Sequence, residues 1–252
     1  MTFVIRIVTL KFAIKKCIAW GDGKTSVEDW YTFANNGSLN TETLTLPELK
    51  QMPAMQRRRL SPFAKLTLHC ALAASESYEQ TVPSVFSSRH GDLHKTSKLI
   101  ADVANKEALS PTHFGLSVHN AVGGLFSIFT GNKAPLSAVS AGEDSFFMGL
   151  VDAVSKLHAY NYDRILYVYS DLAVPEQYQP YVQQNPDNVA VALLIEKSTS
   201  QACVNLEFTS HDTPNSAESS QLQALAFLRF YYSNNQQLVL DSKRYQWQLS
   251  HV

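Results

Sequence analysis

Residues 117–145 read SVHNAVGGLFSIFTGNKAPLSAVSAGEDS, and the rest of the chain is read outward from them. Val118, Ala121, Val122, Leu125, Ile128 and Phe129 recur at helical spacing, with Ser117 placed to cap the helix and Gly131 to end it. Gly123 and Gly124 fall inside that helix, where each glycine costs about 1 kcal/mol relative to alanine. Two such residues side by side predict that another backbone comes very close. Leu136–Val139 then reads as a strand, Ala141-Gly142 as a tight turn, and Ser145–Tyr160 as a helix burying Phe147, Leu150, Val151, Val154 and Leu157. A strand–turn–helix of this kind is where α/β enzymes expose a nucleophile, next to the positive end of a helix. Its apex here is Gly142, which has no side chain to attack with.

On the C-terminal side, Ile165–Tyr169 and Val189–Ile195 are nearly continuous apolar runs, as expected of strands covered on both faces. Val204, Leu206 and Phe208 alternate with polar neighbours and predict a half-exposed strand. A polar linker over His211–Ser220 leads to a helix carrying Leu222, Leu225, Ala226 and Phe230. Leu238–Leu240 and Tyr245, Trp247 and Leu249 close the chain with strand-like patterning. On the N-terminal side, Ser61-Pro62 starts a helix whose Phe63, Leu66, Cys70 and Ala73 share a face. Val82–Phe86 reads as a short strand running into the polar turn Ser87–Asp92, followed by a helix over Leu93–Leu109. Trp20–Leu49 reads as loop with a short helix around Ser26–Phe33, and Phe3, Ile5 and Ile7 alternate as in a strand. Strands alternating with helices predict a layered α/β fold. Residues 1–210 are expected to form the main domain, with 211–252 a helix-plus-strand extension packing on it.

Bulk properties exclude several classes. A formal net charge of -1 and a pI near 6.7 argue against nucleic acid or anionic lipid as partners. Cys17, Cys70 and Cys203 are odd in number and far apart, so neither a disulfide framework nor a metal-ligand spacing follows, and a reducing cytoplasm is expected. Arg6 and Lys11 break the apolar start, and no run approaches the roughly 20 apolar residues of a membrane span, so none is expected.

The remaining candidate chemistry competes with plainer readings. Ser140 or Ser145 could serve as a nucleophile, although serine at a helix start is ordinarily a cap. Glu143 and Asp144 could form an acid/base pair, yet acidic residues in a first turn are favoured by the helix dipole alone. His90 and His94 lack a third metal ligand, so no metal is expected. Arg57-Arg58-Arg59 is a solvated helix entrance or a docking patch for an acidic partner. No phosphate-binding glycine fingerprint is present, and no cofactor is expected.

Several segments together resemble a known family. Residues 110–131, SPTHFGLSVHNAVGGLFSIFTG, with the following strand and the Ser140-Ala141-Gly142 elbow, resemble the N-terminal half of β-ketoacyl-acyl carrier protein synthases. More narrowly, they are similar to the short synthase-like proteins of aryl polyene pathways described as chain length factors. Arg57–Ser61, Ser87–Asp92, Ser117–Ala121 and Asp171 with Pro175-Glu176 support the likeness, which covers about residues 10–200. The resemblance implies an α/β thiolase-like fold, one N-terminal half with a mixed sheet between helices. It aligns the synthase cysteine with Gly142 and leaves the histidines of a synthase's second half without counterparts. The implied protein is not an enzyme. It pairs with an active β-ketoacyl synthase as a heterodimer or heterotetramer, meets acyl carrier protein through that partner, and shapes the acyl tunnel in polyene or fatty acid-type biosynthesis. The implied partner interface is Ser117, His119, Asn120, Gly123, Gly124, Ser127, Leu136 and Ala138; the implied tunnel residues are His113, Phe114 and Leu116. Read from the residues alone, a free-standing acyl thioesterase-like hydrolase using Ser140 or Ser145 is the alternative.

Overall fold

The two most apolar runs occupy the middle of the sheet. In the computed structural model, residues 8–36, 43–75, 81–182, 187–198, 203–211 and 222–251 are described. The strands are β1 (Val8–Gly21), β2 (Ser84–Ser87), β3 (Leu136–Val139), β4 (Arg164–Asp171), β5 (Val189–Glu196), β6 (Val204–Ser210), β7 (Gln237–Asp241) and β8 (Tyr245–His251). The helices are α1 (Val27–Asn36), α2 (Ala54–Arg57), α3 (Pro62–Ser75), α4 (Leu93–Ala104), α5 (Pro111–Gly115), α6 (Ala121–Thr130), α7 (Ser145–Ala159) and α8 (Gln223–Tyr232). The strands form one sheet in the order β3-β2-β4-β5-β1-β6-β8-β7. β2 runs parallel to β3 and β4, and the other neighbours pair antiparallel, so the sheet is mixed.

Alternation along β4 explains why both faces must be covered. Ile165, Tyr167 and Tyr169 join Phe147, Leu150, Val154 and Leu157 of α7 in one core, which continues into Phe227 and Phe230 of α8 and Trp247. Leu166 and Val168 point to the opposite face, against Leu66, Cys70 and Phe63 of α3 and Val122 and Phe126 of α6. β1 serves two partners: Ala13–Gly21 pairs with β5, while Val8–Phe12 pairs with β6. A register shift between Ile14 and Lys16 interrupts the β5 ladder just after the changeover, the kind of irregularity that bends a strand and raises its twist. Residues 223–251 continue the same sheet, since β8 pairs with β6 and β7 with β8.

The caps follow local chemistry, with corrections. The Ser61 hydroxyl accepts from Ala64 N at 3.1 Å and starts α3 as expected. The helix expected from Ser117 begins instead at Ala121, after Asn120. The reason lies upstream: Ser110-Pro111 starts a separate short helix, and the Ser117 hydroxyl closes it by donating to Phe114 O at 2.8 Å. Val118 is therefore outside α6 and exposed, Ile128 within the helix is exposed too, and the buried face is Val122, Gly123 and Phe126. Gly131 ends the helix in a left-handed conformation, φ 68°, as its sequence position predicts.

The paired glycines also need correction. A Cβ on Gly123 would lie 2.9 Å from Leu136 Cδ1 and 3.1 Å from Phe86 Cδ2, so side chains of the same molecule, and no neighbouring backbone, require the glycine. A Cβ on Gly124 would meet nothing within 4 Å. The helix from Leu93 stops at Ala104, before Lys106 adopts a positive φ of 59°. α1 extends past the expected Phe33 to Asn36. Val151 is half-buried, whereas Phe146 and Ala153 of α7 are fully buried. The Phe3–Ile7 alternation and most of the 211–220 linker lie outside the described residues.

Candidate functional site

The elbow follows from β3. After Val139 the chain turns through Ser140-Ala141-Gly142 into a single 3-10 turn, Gly142–Asp144, and then into α7. Gly142 is exposed with φ 63°, a conformation glycine adopts without the penalty a Cβ incurs, and a Cβ there would meet nothing within 4 Å. The position is sterically open but chemically empty.

The hydroxyls and carboxylates around it are engaged elsewhere. The Ser145 hydroxyl donates to Gly142 O at 2.7 Å and accepts from Ala141 N at 2.9 Å, and the residue is buried. It braces the turn. Ser140 donates to Arg89 O at 3.3 Å. Among the described residues no histidine hydrogen-bonds either hydroxyl; His94, His119 and His158 reach the carbonyls of Ala173, Ser88 and Lys11. Glu143 accepts from Lys243 N at 3.1 Å. Asp144 is buried and accepts from Gln223 Nε2 and Trp247 Nε1, both at 2.8 Å. Gln223 in turn accepts from Phe147 N at 3.1 Å, satisfying an orphan donor in the first turn of α7. The two carboxylates thus diverge, and no acid/base pair forms.

Beside the elbow lies a second buried carboxylate whose structural weight the sequence reading did not see. Asp171, at the end of β4, accepts from Ser88 Oγ at 2.9 Å, Arg89 N at 2.8 Å and His90 N at 3.0 Å. It fixes the 88–91 loop on which Ser140 rests. Burial pushes the His90 imidazole below its ordinary pKa, against the opposing pull of Asp171, and its Nε2 is buried without a partner among the described residues. Burial and Asp171 push the Tyr169 phenol up. No group of three or more metal-ligating side chains occurs among the described residues, and none of their helices is long and apolar enough to cross a membrane.

The sheet edge differs in character. β3 has β2 on one side and, among the described residues, no strand on the other. The carbonyls of Pro135 and Val139 accept from Ser84 N and Ser88 N at 3.0 and 3.2 Å. By the alternation of a strand, Leu136 and Ala138 turn their own N–H and C=O groups to the open side. The Leu136 side chain packs on Gly123, which ties α6 to the strand. α6 then presents Gly124, half-buried Ser127 and Ile128, the last 82% exposed. Ser127 donates to Asn132 O at 2.5 Å, and His119 and the exposed Asn120 lie just before the helix. His113 and Phe114 on α5 are exposed, whereas half-buried Leu116 lines a small recess together with Leu60, Phe63, Val122 and Leu125. Nothing in the spacing of these residues reveals which of them face outward.

Residues 30–250 match the family model described as β-ketoacyl synthase, N-terminal domain, and the chain belongs to that family. Among solved structures, the ketosynthase ApeO in complex with its chain length factor ApeC from Xenorhabdus doucetiae contains a chain 28% identical to this one. The match has a TM-score of 0.83 over 96% of this chain and 99% of that one. The ketosynthase from module 6 of the bacillaene synthase of Bacillus subtilis 168 is 12% identical with a TM-score of 0.60. It covers 82% of this chain but 43% of its own, so the present chain spans less than half of that ketosynthase. The ishigamide ketosynthase/chain length factor matches at 12% identity and TM-score 0.57, over 80% of this chain and 67% of that one. No curated protein matches. The mixed sheet with helices on both faces is the thiolase-like ketosynthase fold.

Proposed function

We propose that this chain is a chain length factor-like subunit that makes and breaks no bonds itself, and that it pairs with an active β-ketoacyl-acyl carrier protein synthase. The observation that carries this reading is the elbow. Its apex, Gly142, has no side chain, and the flanking Ser145 hydroxyl is buried and held between Gly142 O and Ala141 N. Gly142 stands where an active synthase has its cysteine, and neither neighbouring serine has a base among the described residues. The same geometry removes the motive for the hydrolase alternative.

A chain with no nucleophile contributes shape and contact surface. The open edge of β3 beside Gly124 and Ile128 supports pairing through Ser117, His119, Asn120, Gly123, Gly124, Ser127, Leu136 and Ala138, because an uncovered edge is a template for another strand. Within that set, Gly123 acts indirectly, by letting Leu136 seat against α6. His113, Phe114 and Leu116, just ahead of this surface, are the residues proposed to shape the partner's acyl tunnel in polyene or fatty acid-type synthesis. Phe114 is 60% exposed and free to reach across. Acyl carrier protein is met through the partner, in a heterodimer or heterotetramer. The likeness to a ketosynthase–chain length factor complex supports the pairing.

The test is co-purification with the synthase encoded beside it, followed by intact mass analysis during turnover with acyl thioester. The acyl adduct is expected on the synthase and none on this chain. An adduct on this chain, or hydrolysis by this chain alone that Ser145→Ala abolishes, overturns the reading.

A further inference from the structure

A cleft opens at the start of β3, at the end of the strand away from the elbow. Its volume is about 350 Å³, and Pro83, Ser84, Pro135, Ser137, Lys156 and Tyr160 are among its walls. Ser137 belongs to β3, but its side chain leaves the sheet on the face opposite Leu136, towards α7. There Lys156 Nζ donates to Ser137 Oγ at 2.7 Å and to Asp152 Oδ2 at 2.6 Å, and Ser137 itself donates to Asp152 at 3.1 Å. Tyr160 stacks on Tyr162 with ring centroids 5.5 Å apart and is 65% exposed.

The walls carry donors that no described residue matches. The carbonyls of Pro83 and Pro135 already accept from Leu166 N and Ser84 N, at 2.9 and 3.0 Å. Lys156 has three N–H groups and two acceptors among the described residues. The Tyr160 and Tyr162 hydroxyls have no partner among them, and the buried Ser84 hydroxyl has none either. A donor left unmatched when a surface is covered costs free energy, and the third N–H of Lys156, unlike the hydroxyls, can be met only by an acceptor, so a partner group that covers this cleft must supply one.

The position says what covers it. A strand bonded to the outward groups of Leu136 and Ala138 lies about 4.8 Å from β3, and its alternate side chains project on the α7 side. Those side chains fall beside Ser137, over Lys156 and Tyr160. Resting on the pairing reading above, we infer that this cleft is the seat for the strand a synthase partner lays along β3, and that it takes from that strand a carboxylate or carboxamide side chain. Lys156 and the tyrosine hydroxyls donate to it, and the stacked rings of Tyr160 and Tyr162 wall it.

The experiment uses the complex with the cognate synthase and the chain alone. Nitration of Tyr160, followed by peptide mass mapping, is expected to be fast in the free chain and slow in the complex. Lys156→Met is expected to raise Kd about tenfold, and Lys156→Arg to restore much of the loss. Tyr160→Ala, at an exposed position, gives a second measurement should Lys156→Met fold poorly. Ala138→Pro separates the two readings: it removes an outward donor without touching the ladder to β2, so it should dissociate the complex. If it does so while Tyr160 nitrates equally fast in the complex, or while Lys156→Met and Tyr160→Ala leave Kd unchanged, the seat is wrong and the pairing stands. If Ala138→Pro leaves the complex intact, the pairing itself falls. Protection of Tyr160 in the chain alone at high concentration makes the occupant a second copy and overturns the inference.

Discussion

The elbow and the β3 edge are contiguous in the chain, yet they treat their polar groups in opposite ways. At the elbow the hydrogen bonds run inward: Ser145 braces Gly142, and Asp144 holds Gln223 and Trp247. At the edge they run out: the backbone groups of Leu136 and Ala138 face away from β2 with no strand on that side among the described residues, and Ile128 stands in solvent. In a catalyst one expects the reverse, a reactive group held ready at the elbow and a covered edge. The contrast supports the proposal that function lies on the surface of the sheet's end, with the elbow as scaffold.

The comparison breaks most visibly at Asp144. Asp144→Ala leaves the Trp247 indole and the Gln223 amide as buried donors, and is expected to cost about 3 kcal/mol or more in urea denaturation. A loss under about 1 kcal/mol would mean that the elbow is not held from the C-terminal hairpin. The adjacent glycines come next, because they should respond oppositely. Gly124→Leu is expected to weaken the complex by about 1–3 kcal/mol, up to roughly a hundredfold in Kd. The same change should leave the chain alone as stable or up to about 1 kcal/mol more stable, since leucine favours a helix over glycine. Gly123→Ala should instead destabilise the chain itself, as Leu136 and Phe86 must move. Equal responses at the two positions would erase the inside–outside distinction.

Gly142→Cys sharpens the elbow side. A side chain at φ 63° should cost about 1 kcal/mol. The new thiol, with nothing packed on it, should alkylate readily with iodoacetamide, yet no condensation activity should appear, since no base among the described residues is poised beside it. The smallest effect is a pH dependence. The folded protein holds His90 neutral at a pH where the unfolded chain protonates it, so the unfolded state binds more protons and stability rises with pH. The contribution is complete above the ordinary histidine value of 6.5 and fades as pH falls from there towards the lowered folded value. Denaturation midpoints at pH 7.5 and 5.5 should show the difference, and His90→Gln should shrink it.

The central strands and α7 were legible because burial on both faces, or on a wide stripe, writes itself as composition along the chain. Leu166, Val168, Val191 and Leu193 are all fully buried. The caps were legible where one local rule applied, as at Ser61 and Gly131, and misread where two competed. Ser117 could start a helix by its own chemistry, but Ser110-Pro111 had already started one. The networks around Asp144 and Asp171 were not legible because their partners lie 79 to 103 positions away. An aspartate in a first turn looks the same whether water or an indole N–H faces it. The glycine pair revealed only that side chains were unwelcome, and assigning a cause to each needed coordinates.

The contact between Leu136 and Gly123 has one more consequence. A strand has two parities, and the methyl groups of Leu136 lodged against a bare Cα select one of them. A slip of the segment by a single position would rotate Ser137 from the α7 side to the α6 side and hand the outward hydrogen-bonding groups to the wrong residues. A missing methyl group on α6 therefore sets the reading frame in which the outer rim of the sheet can be addressed.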